Sequence, residues 1–570
     1  MLGIVREWSV YFVLLCAASS PPVWTAVASA EEPLEPDPVV QAEEVVVSAT
    51  KTPLPVSQVT SAVEVITSQD MKKQNIRNVA DALRLAQGLA VFSNGGPGTE
   101  VNARIRGGSS SQTLVLIDGA IVNSGTLGSY NFANLTTDNI ERVEVLRGAQ
   151  SMLWGSDAMG GVINIVTKRG QGPLSATGFM EYGSFASLRE GGMVSGKQGA
   201  VDYSFSLSRW DTSSFSAVNY RRGAGERDSY RNWQGSGRIG VDLPKDGRLD
   251  FTMRWMNSDV QLDSVSATSP SDVYGSKNRS QEYVFSGSYE QPITTWWSQK
   301  LTLARAQEAS QFLSGTLQRS LITGAFSTPF GTPNEIRVLS NRLEWQHNFQ
   351  ITKLLLLSAG YQFREQQGEN DTGLTNRILS SNAGFAQAQF NLWDRLFATA
   401  GIRHDSYNVF GDATTYRLTG GYLHKETDTK IRGSYSTGFR APTMNELYFP
   451  NFGNSQLGTE KSQSMDVGID QYFFSKQLKF TGGFFWNRYR NLITTTFDPT
   501  FCAPFSTFGF CPQQIGEAST KGWEAGLSYT YSSDRPFLKG LVVQANYTNT
   551  MTRDLVTQTR LPRWATDQWS

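Results

Sequence analysis

A regular alternation of polar and apolar side chains runs through the last 400 residues, 171–570, and it restricts the fold more than any other feature. Clear examples are residues 201–208, 249–255, 523–529 and 543–547. A period of two predicts β-strands with one polar and one apolar face. A soluble β-sandwich alternates in the same way, but it needs only about 100 residues. The length therefore favours one large antiparallel sheet.

The N-terminus has the features of an export signal. Residues 1–30 carry Arg6 ahead of an apolar run at 10–18 and end in three small residues, which is typical of a secretory signal peptide. Lipidation at Cys16 is the alternative, and the bulky Leu15 before it argues against that. Beyond residue 30, no apolar run approaches the ~20 residues that a membrane-spanning helix needs. We therefore expect Sec-dependent export and, in an outer membrane, a closed β-barrel.

The composition argues against two classes of function. Basic and acidic residues balance at a net charge of zero, which leaves no basic footprint for nucleic acid. His347, His404 and His424 each stand alone, without a nucleophile or a zinc spacing, so we expect neither an enzyme nor a required cofactor. Beyond the signal, the cysteines are Cys502 and Cys511. They predict a disulfide that closes a surface loop, with two free thiols as the alternative.

Residues 31–56 have the composition of a flexible leader. The stretch up to residue 43 is acidic and contains prolines. Residues 44–50 are β-prone, and Pro53 and Pro55 keep them from continuing as a strand. An exposed extended segment of this kind can add itself to the sheet edge of a partner. The alternative is an ordinary first strand of the next domain.

Residues 57–170 mix helix and strand patterns. Residues 62–66, 114–117 and 143–146 are predicted as strands. Ser68 or Asp70 is the predicted cap of a short helix, and a second helix at 79–86 is predicted to end at Gly88. A little over a hundred residues are enough for a separate core. We therefore expect a compact α+β domain ahead of the sheet at 171–570.

Five sequence blocks of this domain resemble the plug of TonB-dependent outer-membrane receptors. They are RIRG at 104–107, LVLIDG at 114–119, IERVEVLRG at 140–148, GSDA at 155–158 and GGVINIV at 160–166. The resemblance implies a mainly β fold, with a 22-stranded transmembrane antiparallel barrel and the α+β plug inside its lumen. It also implies a monomer among the lipids of the Gram-negative outer membrane, with a TonB box at 43–50 that binds TonB of the TonB–ExbB–ExbD complex. The box residues are Glu44, Val45, Val46, Val47, Ser48 and Ala49.

The resemblance also implies uptake of a bulky, scarce nutrient, with cobalamin as the first candidate and a ferric siderophore as the second. Three loops of small polar residues would contact it on the outer side of the plug: Ser93, Asn94, Ser109, Ser110, Ser111, Asn123, Ser124 and Thr126. Charged residues would dock the plug to the barrel wall through weak ion pairs: Arg104, Arg106, Glu141, Arg142, Glu144 and Arg147. A passive porin or adhesin with a purely structural plug is the alternative of a different class.

Two barrel segments, 438–448 and 454–462, resemble a pair found in cobalamin and haem receptors. Haem receptors commonly carry a ligand histidine between these segments, and none occurs from Phe439 to Lys461, which argues against haem. The cobalamin branch also binds calcium through acidic loop residues, and oxygen-rich loops suit that ion. The residues in comparable regions here are Glu226, Asp228, Asp259 and Asp263.

The sequence ends at Trp569 and Ser570, shortly after a segment at 561–563 that resembles one followed by further strands in the family. An open sheet edge is costly in lipid, and we therefore expect about four more strands to be missing here. An incomplete sequence and a natural truncation are the two alternatives.

Overall fold

The computed structural model describes residues 45–218, 226–263, 271–328, 333–371, 373–374, 376–531, 541–561 and 565–570, except the side chain of Ile515. Within these ranges the chain is mainly β, with a mixed α+β plug up to Thr167 and a large antiparallel sheet from Ser175 onward. The predicted fold class is confirmed. No helix in the described ranges is both long and apolar enough to cross a membrane.

The plug consists of short strands and helices. They are β1 (Val45–Val46), β2 (Leu54–Pro55), β3 (Val63–Thr67), α1 (Ser68–Lys73), α2 (Val79–Arg84), β4 (Leu89–Ser93), β5 (Val101–Ile105), β6 (Thr113–Ile117), β7 (Ala120–Ile121), β8 (Ile140–Arg147), α3 (Ser151–Trp154) and β9 (Gly161–Thr167). Five of the strands form a central mixed sheet in the order β3-β8-β9-β6-β7, with β6 and β9 parallel.

Both faces of the central plug sheet are buried. On β6, Val115 and Ile117 pack into one apolar cluster, whereas Leu114 and Leu116 pack into another on the opposite face. Strands that are covered on both sides are apolar at consecutive positions, because each face needs its own apolar neighbours. This explains the continuous apolar run at 114–117 and gives the plug a core of its own.

The short helices of the plug begin at polar caps. Thr67, not Ser68 or Asp70, is the N-cap of α1, and Asp70 completes a capping box from the third helical position. Asn78 caps α2 by accepting a hydrogen bond from the Ala80 N–H. The helix ends at Arg84, a few residues earlier than predicted.

The second part of the chain holds long strands and two short helices. They are β10 (Ser175–Gly183), β11 (Ser187–Gln198), β12 (Val201–Thr212), β13 (Tyr230–Leu243), β14 (Gly247–Gln261), β15 (Ser271–Tyr274), β16 (Lys277–Pro292), β17 (Trp297–Leu313), β18 (Leu317–Ser320), β19 (Phe326–Ser327), β20 (Asn334–Thr352), β21 (Leu355–Asn370), β22 (Arg377–Leu392), β23 (Leu396–Tyr407), β24 (Gly411–His424), β25 (Thr429–Arg440), α4 (Met444–Tyr448), β26 (Glu460–Phe473), β27 (Leu478–Phe497), α5 (Pro499–Cys502), β28 (Phe510–Thr530), β29 (Val542–Asp554) and β30 (Asp567–Trp569).

Eighteen of these strands form one antiparallel sheet in sequence order, from β10 to β30, while β15, β18 and β19 form a small separate sheet. The described residues thus contribute 18 strands, compared with the 22 that the family resemblance implies. The predicted alternation is present: on β12, Asp202 and Ser204 are buried, whereas Val201, Phe205 and Leu207 are exposed on the other face. This pattern places polar side chains toward the plug and apolar side chains toward lipid.

The large sheet surrounds the plug. Arg189 of β11 pairs with Asp138 of the plug, and near the other end of the sheet Thr548 of β29 accepts a hydrogen bond from the Gly88 N–H at 3.0 Å. Short turns such as 244–246 and 425–428 define one end of the barrel, and longer connections define the other. Short turns are periplasmic in barrels of this kind. Lys430, beside such a turn, donates to the Val56 carbonyl at 2.8 Å, so the first residues of the plug lie at the periplasmic end.

Candidate functional site

The TonB-box segment, which we define as residues 45–50, lies folded into the plug. Val46 and Ala49 are fully buried in the apolar cluster that contains Leu114 and Trp154, and Val45 is 43% exposed. The expectation of an exposed, flexible segment is therefore wrong for the described residues, because its small apolar side chains complete the plug core. Residues 46–56 therefore contribute to the packed plug instead of forming a separate leader. Glu44 lies outside the described residues.

Polar contacts hold the same segment from two sides. The Ser48 N–H and Oγ both donate to Oε2 of Glu144, at 3.1 and 2.5 Å. The indole of Trp154 donates to the Ser48 carbonyl at 2.9 Å, and Arg417 of the barrel wall donates to the Ala49 carbonyl at 3.1 Å. These hydrogen bonds are buried. If the segment were pulled out of the plug, the groups that now bond to it would be left unsatisfied unless water took the place of the segment.

Lys51 joins the end of the TonB-box segment to the wall. Its Nζ lies 2.6 Å from Oε2 of Glu344 on β20, 4.2 Å from the ring centre of Phe385 and 4.9 Å from that of Trp154. Glu344 also pairs with Arg342. Burial lowers the pKa of Lys51 to about 7, although the charge of Glu344 opposes this shift. Sequence reasoning missed this pair because its members are nearly three hundred residues apart.

Arg106 and Arg147 dock the plug to one wall carboxylate. The Nε and Nη2 of Arg106 each donate to Glu524 on β28 at 2.8 Å, and Nη1 of Arg147 donates to the same carboxylate at 3.0 Å. All three side chains are at most 3% exposed. The predicted docking contacts of these two arginines are therefore present, but the expectation of weak, exposed pairs is wrong. A buried group of this kind is sensitive to the loss of one partner.

The other predicted docking residues make contacts inside the plug. Arg142 donates to Glu144 at 2.8 Å and to Glu141 at 3.2 Å, so these three charges pair with one another rather than with the wall. The Arg104 guanidinium lies 4.7 Å from the ring centre of Phe92, also in the plug. Their position on plug strands did not reveal which charges lie next to the barrel.

Wall arginines provide docking contacts that the sequence analysis missed. They donate to backbone carbonyls of the plug: Arg238 to Thr167 at 3.2 Å, Arg342 to Gly119 at 2.5 Å and Arg403 to Leu153 at 3.3 Å. The alternating pattern could have placed these arginines on the lumen side. It could not identify their acceptors, because every residue carries a carbonyl.

The predicted ligand loops differ in accessibility. Ser93, Asn94 and Ser109 are exposed, and Ser110 and Ser111 are half-buried. Asn123, Ser124 and Thr126 are buried, contrary to a role in direct ligand contact. Asn123 instead accepts from the Val115 N–H at 2.7 Å and donates to the Thr113 and Gly128 carbonyls, which fixes the loop. Fewer of the predicted loop residues are therefore accessible than expected, and the accessible ones are themselves uncharged.

A cavity of about 40 Å³ lies between the third loop and the wall, and its lining includes Ser124, Tyr130, Glu282 and Glu308. Glu282 on β16 and Glu308 on β17 are direct register partners. The Tyr130 hydroxyl donates to Glu282 at 3.5 Å. The cavity has room for a few water molecules, and it brings two carboxyl groups together beside the buried third loop.

Carboxylates from two long loops form an acidic cluster, which consists of Glu226, Asp228, Asp263 and Asp272. Oxygen atoms of Glu226, Asp263 and Asp272 lie within 4.8 Å of one another. Burial, followed by the neighbouring carboxylates, raises the pKa of Glu226 and of Asp228 to about 7. Glu226 Oε1 and Asp228 Oδ1 are buried without a hydrogen-bond partner in the described part of the chain. A hard cation with oxygen ligands fits this donor set.

The acidic cluster differs from the predicted calcium residues at two positions. Asp259 lies outside it and pairs with Arg279 at 3.1 Å and with Lys277 at 3.9 Å. Asp272 takes part instead, and the sequence analysis missed it. The signal was present, because Asp272 follows Asp263 in the same long polar stretch, but nothing in the sequence showed which carboxylates converge.

Cys502 and Cys511 form a disulfide with a Cα–Cα distance of 5.5 Å. Cys502 ends helix α5 and Cys511 lies at the start of β28, so the bond closes the connection between β27 and β28. Both cysteines are fully buried.

Comparisons with known proteins cover most of the chain. The family model described as "TonB dependent receptor-like, beta-barrel" matches residues 205–568, and the model described as "TonB-dependent Receptor Plug Domain" matches residues 55–162. The "Vitamin B12 transporter BtuB" of Vibrio vulnificus (strain YJ016) is 28% identical over 493 residues, which are 84% of this chain and 74% of that protein.

Solved structures show the same fold. The pyoverdine outer membrane receptor FpvA from Pseudomonas aeruginosa PAO1, bound to pyoverdine, has a TM-score of 0.74 at 18% identity and covers 92% of this chain and 82% of that chain. The siderophore receptor PirA from Pseudomonas aeruginosa has a TM-score of 0.67 at 18% identity, with coverages of 86% and 85%. At such identities the likeness concerns the fold alone.

The barrel model alone matches more than half of the chain. The family consists of transporters and receptors, which agrees with the expectation that the chain is not an enzyme. The chain therefore belongs to the TonB-dependent receptor family and is an outer-membrane protein of Gram-negative bacteria.

Proposed function

We propose that the chain imports a scarce, bulky nutrient across the outer membrane with energy delivered by TonB, and that this nutrient is cobalamin. The outer membrane holds no ion gradient and the periplasm holds no nucleotide, so the energy must arrive mechanically. The observation that carries the proposal is the packing of the TonB-box segment, whose Val46 and Ala49 belong to the plug core. Pulling on this segment removes part of that core.

In the proposed mechanism, ligand contact at the outer loops favours release of the TonB-box segment at the periplasmic end. Release breaks the contacts of Ser48 with Glu144 and of Lys51 with Glu344. The freed strand then pairs with the sheet edge of TonB. Tension transmitted through residues 51–56 displaces β3 and its neighbours, which opens a path between plug and wall.

Two observations support cobalamin as the ligand. The curated relative from Vibrio vulnificus is named a vitamin B12 transporter. The exposed loop residues Ser93, Asn94 and Ser109 are uncharged. Such a surface provides hydrogen bonds to a large polar ligand but no positive charge for an anionic iron chelate. A ferric siderophore remains the second candidate, and the binding assay below separates the two.

Deletion of residues 45–49 tests the proposal. Outer membranes that contain the chain are expected to bind radiolabelled cyanocobalamin and to show TonB-dependent uptake. The deletion variant is expected to retain surface binding and to lose uptake to the level of a strain without TonB. A permeability assay with a large antibiotic shows whether the deletion has dislodged the plug and left the barrel open. Uptake that survives the deletion indicates a passive pore, and binding of ferric chelates instead of cobalamin overturns the ligand assignment.

We further propose that the acidic cluster binds calcium and thereby links its two loops. Glu226, Asp263 and Asp272 are the ligands whose oxygens converge, and Asp228 lies beside them. The Asp263→Asn variant is expected to weaken calcium binding at least tenfold in isothermal titration calorimetry, because one anionic ligand is lost. The matched control is Asp259→Asn, which alters a nearby aspartate that pairs with Arg279. Equal effects of the two substitutions would contradict the site.

A further inference from the structure

The outer face of strands β26–β29 carries a basic patch, which consists of Lys461, Arg488, Arg490, Lys521 and Arg553. The positions are neighbours in the sheet: Lys461 is the register partner of Arg490, and Ser519 lies between Arg488 and Arg553. The residues that alternate with them, such as Ser462, Tyr489 and Thr520, are buried on the plug side. The five basic side chains therefore face away from the lumen.

The basic patch begins where the apolar surface ends. On β27 the outward side chains Phe480, Phe484 and Trp486 precede Arg488 and Arg490. On β28, Leu527 and Trp523 are the register partners of Phe480 and Phe484, and both lie nearer the periplasmic end than Lys521. Arg488 follows the first residue of β27 by ten positions, and a barrel strand crosses the hydrocarbon layer in about 9–11 residues. Tryptophan marks the membrane interface, so the patch lies at the headgroup level of the outer leaflet.

The charge of the patch is unbalanced. Glu517 pairs with Arg488 at 3.0 Å and with Arg490 at 3.9 Å. In the described ranges, no carboxylate lies within ion-pair distance of Lys461, Lys521 or Arg553. Arg488 Nε is buried and has no hydrogen-bond partner in the described part of the chain. Five cations thus face one carboxylate at a level where the surroundings are lipid headgroups.

Outward arginines elsewhere on the barrel, at a similar height, have carboxylate partners. On β12–β16, the outward Arg231 pairs with Asp211 at 2.6 Å, and Arg279 pairs with Asp259 at 3.1 Å. Each of these arginines thus has a carboxylate partner on that face. The lack of carboxylate partners for Lys461, Lys521 and Arg553 in the described ranges is therefore a property of the β26–β29 face and does not follow from its membrane depth alone.

We propose that the basic patch binds the phosphate groups of a phosphorylated glycolipid of the outer leaflet, with its acyl chains along Trp486 and Trp523. Arginine and lysine side chains pair strongly with phosphate oxygens, and arginine can do so with two parallel hydrogen bonds. Clusters of basic residues beside a membrane span bind anionic headgroups in this way. The outer leaflet of a Gram-negative outer membrane consists of lipid A-based glycolipid, whose phosphates complement the patch in both charge and height.

The test compares lipid binding to the purified full chain by native mass spectrometry, with bis-phosphorylated lipid A as the probe. The Arg488→Gln/Arg490→Gln variant is expected to bind lipid A at least tenfold more weakly than the unmodified chain. The Arg231→Gln/Arg279→Gln variant removes two arginines that already pair with carboxylates on the β12–β16 face, and it is expected to change binding less than twofold. A third variant, Lys461→Gln/Lys521→Gln, alters two exposed side chains and provides the test if the first variant does not fold.

Dephosphorylated lipid A and phosphatidylglycerol are the comparison lipids that identify which chemical group the basic patch recognises. We expect both to bind at least tenfold more weakly than bis-phosphorylated lipid A, and added salt to weaken the binding of the latter. Equal binding of the dephosphorylated lipid, or of phosphatidylglycerol, overturns the proposal. Equal losses in the patch variant and the control variant overturn it as well.

Discussion

Replacing Glu524 with glutamine is expected to loosen the plug by about 3–5 kcal/mol, because it leaves two buried guanidinium groups without their shared carboxylate. Arg106 makes a two-point contact with Glu524, and Arg147 donates to the same group. Asp466, at 3.9 Å from Arg106, is too distant to replace these hydrogen bonds. Glutamine has a similar size, so the effect isolates the charge.

The measurement is the urea concentration at which the plug becomes sensitive to protease while the barrel remains folded. Glu426→Gln is the matched control, since Glu426 pairs with Arg395 on an exposed periplasmic turn, where water screens the pair. Adding Arg106→Gln to Glu524→Gln is expected to recover part of the loss, because one unpaired charge is removed. Equal midpoints for Glu524→Gln and the control would show that this contact does not hold the plug.

The architecture could be predicted from the sequence because the membrane imposes a simple rule on it. A barrel strand has lipid on one side and the polar plug on the other, so residues 201–208 had to alternate. The plug strands could be predicted because Leu114 and Val115 belong to a run that is apolar on both faces. In both cases the local sequence pattern is sufficient to predict the strand and its buried faces.

The docking contacts could not be predicted, because they join residues that are distant in sequence. Arg106 and Glu524 are 418 positions apart, and either residue could have paired with many others. Glu144 resembled a docking residue, yet it binds Ser48 of the TonB-box segment. The polar side chain of Asn123 suggested ligand contact, whereas its buried amide satisfies three backbone groups. Residue type indicates the capacity to form such contacts but not the partner.

Docking of the TonB-box segment is expected to strengthen about tenfold per pH unit above pH 7, through the titration of Lys51. In the docked plug, burial lowers the pKa of Lys51 to about 7, from an ordinary value of 10.5. Between these values the released lysine binds a proton that the docked lysine lacks. Release therefore takes up a proton and becomes less favourable as the pH rises. Below pH 7, Lys51 is protonated in both states, and this contribution to the pH dependence disappears.

A spin label at Val45→Cys reports the equilibrium, because Val45 is the accessible residue at the start of the segment. From pH 7 to pH 9 the ratio of mobile to docked segment is expected to fall about fiftyfold, because release takes up half a proton at pH 7 and close to one proton at pH 9. Lys51→Met is never charged and Lys51→Arg is always charged over this range, so both variants are expected to abolish the slope. Docking of the segment is expected to be weaker in Lys51→Arg than in Lys51→Met. Only arginine keeps a charge in this buried site, and the same burial disfavours the charged form of Lys51. An unchanged slope in either variant would assign the pH dependence to another group, and a flat profile in the unmodified chain would exclude Lys51 as a titrating contact between plug and wall.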